Sequence, residues 1–141
     1  MTYKPEIGDK ICELIAQGKS LLAICKAKGM PTQTTVFRWI AEDKEFREKY
    51  ARAREAQADA LVEEILEIAD DGTNDWMASN DPENPGYRLN GEHVQRSKLR
   101  VDSRKWFASK VAPKKYGEKL ELASDPSAPL VPVVKLTFGE R

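Results

Sequence analysis

The feature that most constrains the fold is the segment 43–71, which contains neither glycine nor proline. It is rich in Ala, Glu, Arg and Leu, which are strong helix formers. Apolar positions three or four residues apart draw one stripe from Phe46 to Ile68, and a second stripe runs beside it from Ala58 to Ala69. The pattern predicts one helix about 40 Å long. Because a helix with two apolar sides needs two neighbours, we expect one from this chain and one from another copy.

The segment 20–40 predicts two short helices separated by a tight turn. The first helix has an apolar side made of Leu21, Leu22, Ile24 and Cys25. Gly29 and Pro31 end it, because glycine accepts a left-handed cap and proline cannot extend the helical hydrogen bonds. Thr32 begins a threonine-rich start that offers N-cap oxygens to the second helix. That helix is expected to bury Val36, Phe37, Trp39 and Ile40.

Such a pair is typical of a helix-turn-helix, whose second helix can enter the major groove of DNA. A structural helical hairpin with no role in DNA binding fits the local pattern equally well. If the pair binds DNA, the contacts come from the outward side of the second helix and from lysines that flank the pair. The predicted DNA-binding residues are Lys19, Lys26, Lys28, Gln33, Thr34, Thr35 and Arg38. Among these, Arg38 is expected to contact phosphate rather than a base edge.

The charge pattern favours contacts between oppositely charged segments or with charged partners. The chain carries 23 basic and 23 acidic residues, so its net charge is no argument for nucleic acid. However, basic residues outnumber acidic ones in the segment 1–54 and again in 96–119, whereas every charged residue of 55–71 is acidic. The neutral total therefore hides two basic segments and one acidic segment, each of which can contact a partner of opposite charge.

No sequence pattern supports catalysis, a metal site or a cofactor. The chain lacks both a GxxxxGK[ST] loop and a GxGxxG motif, and His93 is its single histidine. Cys12 and Cys25 lie among apolar neighbours, as expected of buried thiols in a reducing compartment. No stretch approaches the ~20 apolar residues of a membrane span, and no signal peptide is visible. We therefore expect a non-enzymatic cytoplasmic protein that makes no membrane contact.

The remaining segments complete a mainly helical plan. Ile7 to Ala16 predicts a first helix, which joins the helix pair in a three-helix head with a core that includes Phe37, Trp39 and Phe46. The turn-rich segment 72–91 is predicted to be a loop, and its Trp76, Met77 and Tyr87 are expected to lie against the rest of the protein. Glu92 to Ala112 predicts a second long helix, ended by Pro113. The two long helices should fold back on each other as an antiparallel hairpin.

The last part of the chain is rich in β-formers, and two strands by themselves form no stable sheet in water. This tail either has no fixed structure or pairs with the tails of other copies, and its apolar pattern favours pairing.

The predicted domains are a helix-turn-helix domain at 1–42, an oligomerisation hairpin at 43–116 and a β-strand tail at 117–141. The predicted oligomerisation residues are Leu61, Val62, Ile65, Leu66, Ile68, Leu99, Val101 and Trp106.

Three stretches of the sequence resemble a known family. They read ICELIAQGKSLLAICKAKGMPTQTTVFRWI, FREKYARAREAQADALVEEILEIADD and KLRVDSRKWFASKVAPKKYGEK. The combination of GMP and TVFRW with three residues between them, then EIAD, then LRVDSRKW is far more specific than a generic helix-turn-helix. Over Ile11 to Lys119 the chain resembles the small terminase subunits of tailed bacteriophages, in their Sf6-like branch.

The resemblance implies a DNA-packaging protein without catalysis of its own, acting in the host cytoplasm. It implies a ring of roughly eight or more subunits, with peripheral helix-turn-helix domains, central helical hairpins and C-terminal strands that close a β-barrel. Such a ring recognises double-stranded viral DNA at the packaging site and recruits the large terminase subunit, an ATPase and nuclease. Two alternatives from the residues alone are a dimeric helix-turn-helix transcription regulator and a structural assembly protein that does not bind DNA.

Overall fold

The computed structural model describes residues 1–118, and the predicted C-terminal strands and barrel lie outside the described residues. The described part is mainly helical, as expected. Its elements in chain order are α1 (Pro5–Ala16), α2 (Leu21–Cys25), α3 (Gln33–Glu42), α4 (Lys44–Asp70), β1 (Trp76–Ala78), β2 (Tyr87–Leu89), α5 (Gly91–Val111) and α6 (Pro113–Tyr116).

Helices α1 and α3 pack on the first half of α4, and α2 packs on α1 and α3; together they form the head. Its buried core consists of Ile11, Ile15, Leu21, Ile24, Val36, Trp39, Phe46 and Ala53. The ring of Trp39 meets the rings of Tyr3 and Phe46 edge to face, with centroids 5.3 and 6.2 Å away. Since Phe46 and Ala53 belong to α4, the head core extends past residue 42.

Local signals set the helix ends. Gly18, with φ +97°, follows α1, and Gly29, with φ +85°, lies in the turn between α2 and α3, where a side chain would strain the backbone. The side-chain oxygens of Ser20 and Thr32 accept hydrogen bonds from backbone N–H groups of α2 and α3. An Asp43 carboxylate oxygen accepts from the Phe46 N–H at 2.7 Å and caps α4.

The second half of α4 lies antiparallel to α5, which confirms the predicted helical hairpin. Ala58 of α4 and Ala108 of α5 are fully buried, so each helix of the hairpin covers a small side chain. Arg104 Nε donates to Glu64 Oε2 at 2.8 Å and joins α5 to α4. Pro113 ends α5 as predicted, but it also begins the one-turn helix α6.

Phe37, which was expected in the head core, and Leu22, which was placed on the apolar side of α2, are exposed. Phe37 is 56% exposed and Leu22 is 53% exposed. Helical geometry explains the position of Phe37: it lies 100° from Val36 and 160° from Trp39 around the axis of α3, so it cannot share their buried side. The predicted burial of Phe37 is wrong.

The segment 72–91, which was predicted to be a loop, contains a two-stranded β-hairpin. Its strands β1 and β2 pair antiparallel, with Trp76 opposite Leu89 and Ala78 opposite Tyr87. The turn between them is held by the Asp81 carboxylate, which accepts from the Glu83 N–H and the Asn84 side chain, both at 2.9 Å. Met77 is half-buried, but Trp76 and Tyr87 are exposed, so the expectation that these two rings lie against the rest of the protein is wrong.

Candidate nucleic-acid interface

Helix α3 turns one side to the core and the other to solvent. Val36 and Trp39 are buried against the head, whereas Thr34, Phe37 and Arg38 are exposed. Thr34 and Arg38 are four residues apart, so they lie above one another on the outer side of the helix, with Phe37 beside them. The outer side of α3 therefore combines a hydroxyl, an aromatic ring and a guanidinium.

The N-terminal end of α3 is held by its own threonines. The Thr32 hydroxyl oxygen accepts from the Thr35 N–H at 3.4 Å and lies 3.0 Å from the Thr35 hydroxyl. Gln33 and Thr35 are half-buried and Thr34 is exposed. The first N–H groups of a helix have no partner within it and favour an anion. This end can therefore hold a phosphate group.

Arg38 already has one partner within the chain. Its Nη2 donates a hydrogen bond to the backbone carbonyl of Met1, which brings the start of the described chain to the outer side of α3. The guanidinium has five N–H donors, so this bond leaves donors for another acceptor.

The three lysines predicted to flank the helix pair are all exposed. Lys19 lies between α1 and α2, Lys26 is the C-cap of α2, and Lys28 lies between α2 and α3. Within residues 1–118, none of them and no atom of Arg38 forms an ion pair with a carboxylate. Lys49 differs, since its Nζ lies 3.1 Å from Asp9 and 3.0 Å from Glu45.

Phe37 is the residue of this surface that the sequence interpretation missed. The sequence pattern predicts its burial together with Val36, although the helical angle already separates the two residues. An exposed aromatic ring beside an arginine on a helix can make apolar contact with a thymine methyl group. Phe37 therefore belongs with Arg38 in the candidate interface.

The predicted oligomerisation residues divide into two groups. The half-buried ones, which are partly covered within the hairpin, are Leu61, Val62, Ile65, Ile68 and Val101. The exposed ones are Leu66, Leu99 and Trp106, with 59, 66 and 64% of their surface accessible. The Lys110 ammonium lies 5.9 Å from the Trp106 ring centroid, so the exposed aromatic surface of α5 has a basic border.

Residues 1–118 contain no group of three or more His, Cys, Asp or Glu side chains placed to hold a metal ion. The helices of the same part of the chain also include none that is long and apolar enough to cross a bilayer. Burial raises the pKa of the Cys12 and Cys25 thiols.

Comparison with known proteins confirms the resemblance seen in the sequence. Residues 3–123 match the family model described as "Bacteriophage Sf6, terminase small subunit-like". Three solved structures of substituted forms of the terminase small subunit gp1 of the bacterial virus Sf6 are also similar, each with a TM-score of 0.67. One is 43% identical and the alignment covers 89% of both chains; two are 40% identical, with 96% of this chain and 95% of that chain covered. No curated protein sequence gives a significant match.

Proposed function

Because the chain belongs to the family of Sf6-like terminase small subunits, a family of DNA-packaging proteins, we propose that it recognises the viral packaging site as a ring oligomer. In this proposal the chain is a non-catalytic subunit that acts in the host cytoplasm. The observation that carries the DNA-binding part is the exposed outer side of α3, with Arg38 and Thr34 directed away from the core.

The charges around α3 support contact with the phosphate backbone. Lys19, Lys26 and Lys28 lie on the connections that enter and leave α2, and all three are exposed. A cation already paired to a carboxylate in the free protein loses that pairing when it binds phosphate. Since these lysines form no ion pairs within the described residues, they bind phosphate without that cost.

Each head is small, so its affinity for DNA is expected to be weak. Several heads on one oligomer raise the effective concentration of each head once the first is bound, and affinity then rises without new contacts. We propose that Arg38 contributes a phosphate contact and that Phe37 and Thr34 face the bases. This arrangement suits a protein that must first hold double-stranded DNA and then select a site on it.

The experiment is a titration of Arg38→Ala against a packaging-site duplex and a scrambled duplex at two salt concentrations. A phosphate contact predicts an equal loss of affinity for both duplexes. It also predicts that the salt slope, the slope of log K against log salt concentration, is smaller by about one for each bound head. Loss of a base contact predicts instead a cost of about 1–3 kcal/mol and a weaker preference for the packaging site.

The matched control is Arg96→Ala, which removes the same charge from α5, where Arg96 pairs with Glu92 at 3.3 Å. It should leave DNA affinity unchanged. If Arg38→Ala binds both duplexes as the unsubstituted chain does, Arg38 is not part of the interface. If the unsubstituted chain fails to bind duplex DNA even at low salt, the proposed function is wrong.

We further propose that the oligomer recruits the large terminase subunit through residues 119–141, which lie outside the described part and farthest along the chain from the head. Removal of residues 129–141 should leave DNA binding largely intact and weaken co-sedimentation of the large subunit. Loss of DNA binding in an oligomer that still assembles would contradict this division of roles.

A further inference from the structure

Gln57 is the one polar side chain that is fully buried within residues 1–118, with 1% of its surface accessible. Both ends of its amide are satisfied. Its Nε2 donates to the backbone carbonyl of Lys19 at 2.9 Å, and its Oε1 accepts from Arg54 Nη1 at 2.9 Å. A carbonyl only accepts and a guanidinium only donates, so these partners also determine which way the amide points.

The bond to Lys19 holds the turn between α1 and α2 against α4. The Lys19 N–H donates to the Leu14 carbonyl at 3.1 Å, so the backbone of this one residue is tied to α1 on one side and to α4 on the other. The next residue, Ser20, caps α2 through the Ala23 N–H at 3.2 Å. The position of Gln57 thus determines where the Lys19 side chain leaves the surface.

The bond to Arg54 extends this network to the hairpin. The Arg54 guanidinium lies 5.8 Å from the ring centroid of Tyr50, which packs against the head core, and 5.3 Å from that of Phe107 on α5. A cation in contact with two aromatic rings is held in place by both. Head, α4 and α5 therefore meet at Gln57 and Arg54.

We propose that Gln57 is a positioning residue for DNA binding, which acts by fixing the Lys19 backbone against α4 and thereby the point from which the Lys19 side chain reaches a phosphate. This inference rests on the proposed function. Gln57 is buried and cannot contact DNA itself. A role in stability alone would leave the contribution of Lys19 to binding unchanged in every correctly folded variant.

The test is a double-substitution cycle on the full chain, with a fluorescent duplex titrated at several salt concentrations. Gln57→Glu still accepts from Arg54 but has no donor for the Lys19 carbonyl, and Gln57→Met has similar length and neither function. Each should lower affinity severalfold and reduce the salt slope by about one for each bound head, the same change that is expected of Lys19→Ala. Combined with Lys19→Ala, neither should cause a further loss, because residues that act through one another are not additive.

The matched control is Ala58→Gly, at the buried position next to Gln57, which weakens α4 without changing the bonds to Lys19. It should lower the melting temperature and leave the salt slope unchanged. If the losses from Gln57 and Lys19 substitutions add, or if Gln57→Met lowers only the melting temperature, the inference is wrong. Lys19→Ala with unchanged affinity overturns the inference alone, whereas absence of DNA binding by the unsubstituted chain overturns the proposed function.

Discussion

Asp59 joins two elements that lie far apart in the chain. Its Oδ1 accepts from Lys115 Nζ at 2.7 Å and from the Tyr116 hydroxyl at 2.6 Å, which holds α6 against α4. These two bonds, first that to Lys115 and then that to Tyr116, lower the pKa of Asp59 below its ordinary value of 3.8. The same contact with Asp59 raises the pKa of Lys115 and of Tyr116. Through this contact, the free energy of unfolding therefore depends on pH in both the acidic and the alkaline range.

We predict that Asp59→Asn lowers the melting temperature at neutral pH and that its difference from the unsubstituted chain disappears in acid. A carboxylate whose pKa is lowered in the folded state stabilises that state above its unfolded pKa, and this stabilisation is lost as the pH falls through the folded pKa. Circular dichroism melting curves from neutral pH to about pH 2 measure the effect. Asp102→Asn, which alters an exposed carboxylate of α5 without an ion pair in the described residues, is the control. A difference that stays constant down to the lowest pH would contradict the prediction.

Among the elements, α4 organises the described part of the molecule. Its first half places Phe46 in the head core, and its second half packs against α5. The Asp43 cap begins it, and 27 residues follow without a break. Because one continuous helix serves both units, a change in its packing at Gln57 acts on head and hairpin together. The position of the head relative to α5 is therefore set by α4.

At the scale of the whole molecule, the hairpin leaves large apolar side chains in solvent. Leu66, Leu99 and Trp106 are more than half exposed, and Leu99 and Trp106 are seven residues apart on the same side of α5. Exposed apolar surface of this kind marks interaction sites. Leu61 and Ile65 are half-buried, so Asp substitutions there would disturb the hairpin as well as any interface.

We predict that Leu99→Ser and Trp106→Ser each lower the oligomeric mass and leave the helical content unchanged, because both side chains are exposed in the single chain. Sedimentation velocity at micromolar concentration measures the mass, and circular dichroism measures the helices. Lys98→Ser, at the exposed position next to Leu99, is the control and should assemble normally. The proposed assembly is wrong if the unsubstituted chain sediments as a monomer or dimer, and the interface is misplaced if both variants keep the full mass.

The sequence by itself determined most helix boundaries and the family. Gly18, Thr32 and Asp43 end or begin helices through bonds and backbone angles that involve residues at most four positions away. Such signals are visible in a short window of sequence, and so is the periodicity that predicted the helical hairpin. The resemblance drawn from the three quoted stretches is confirmed by the family model and the solved structures.

Only the tertiary structure decided which residues of these helices are covered. Phe37 and Trp39 are both aromatic residues of α3, yet one faces solvent and the other the core, because Tyr3 and Phe46 arrive on one side only. Gln57 lies on the first stripe that the sequence draws along α4, but the partner of its amide, a carbonyl 38 residues away, appears only in the structure. The sequence pattern did not predict the three-residue strands β1 and β2, because the segment between them is rich in turn residues. Burial and pairing depend on what another element brings to a residue, and a local pattern does not contain that information.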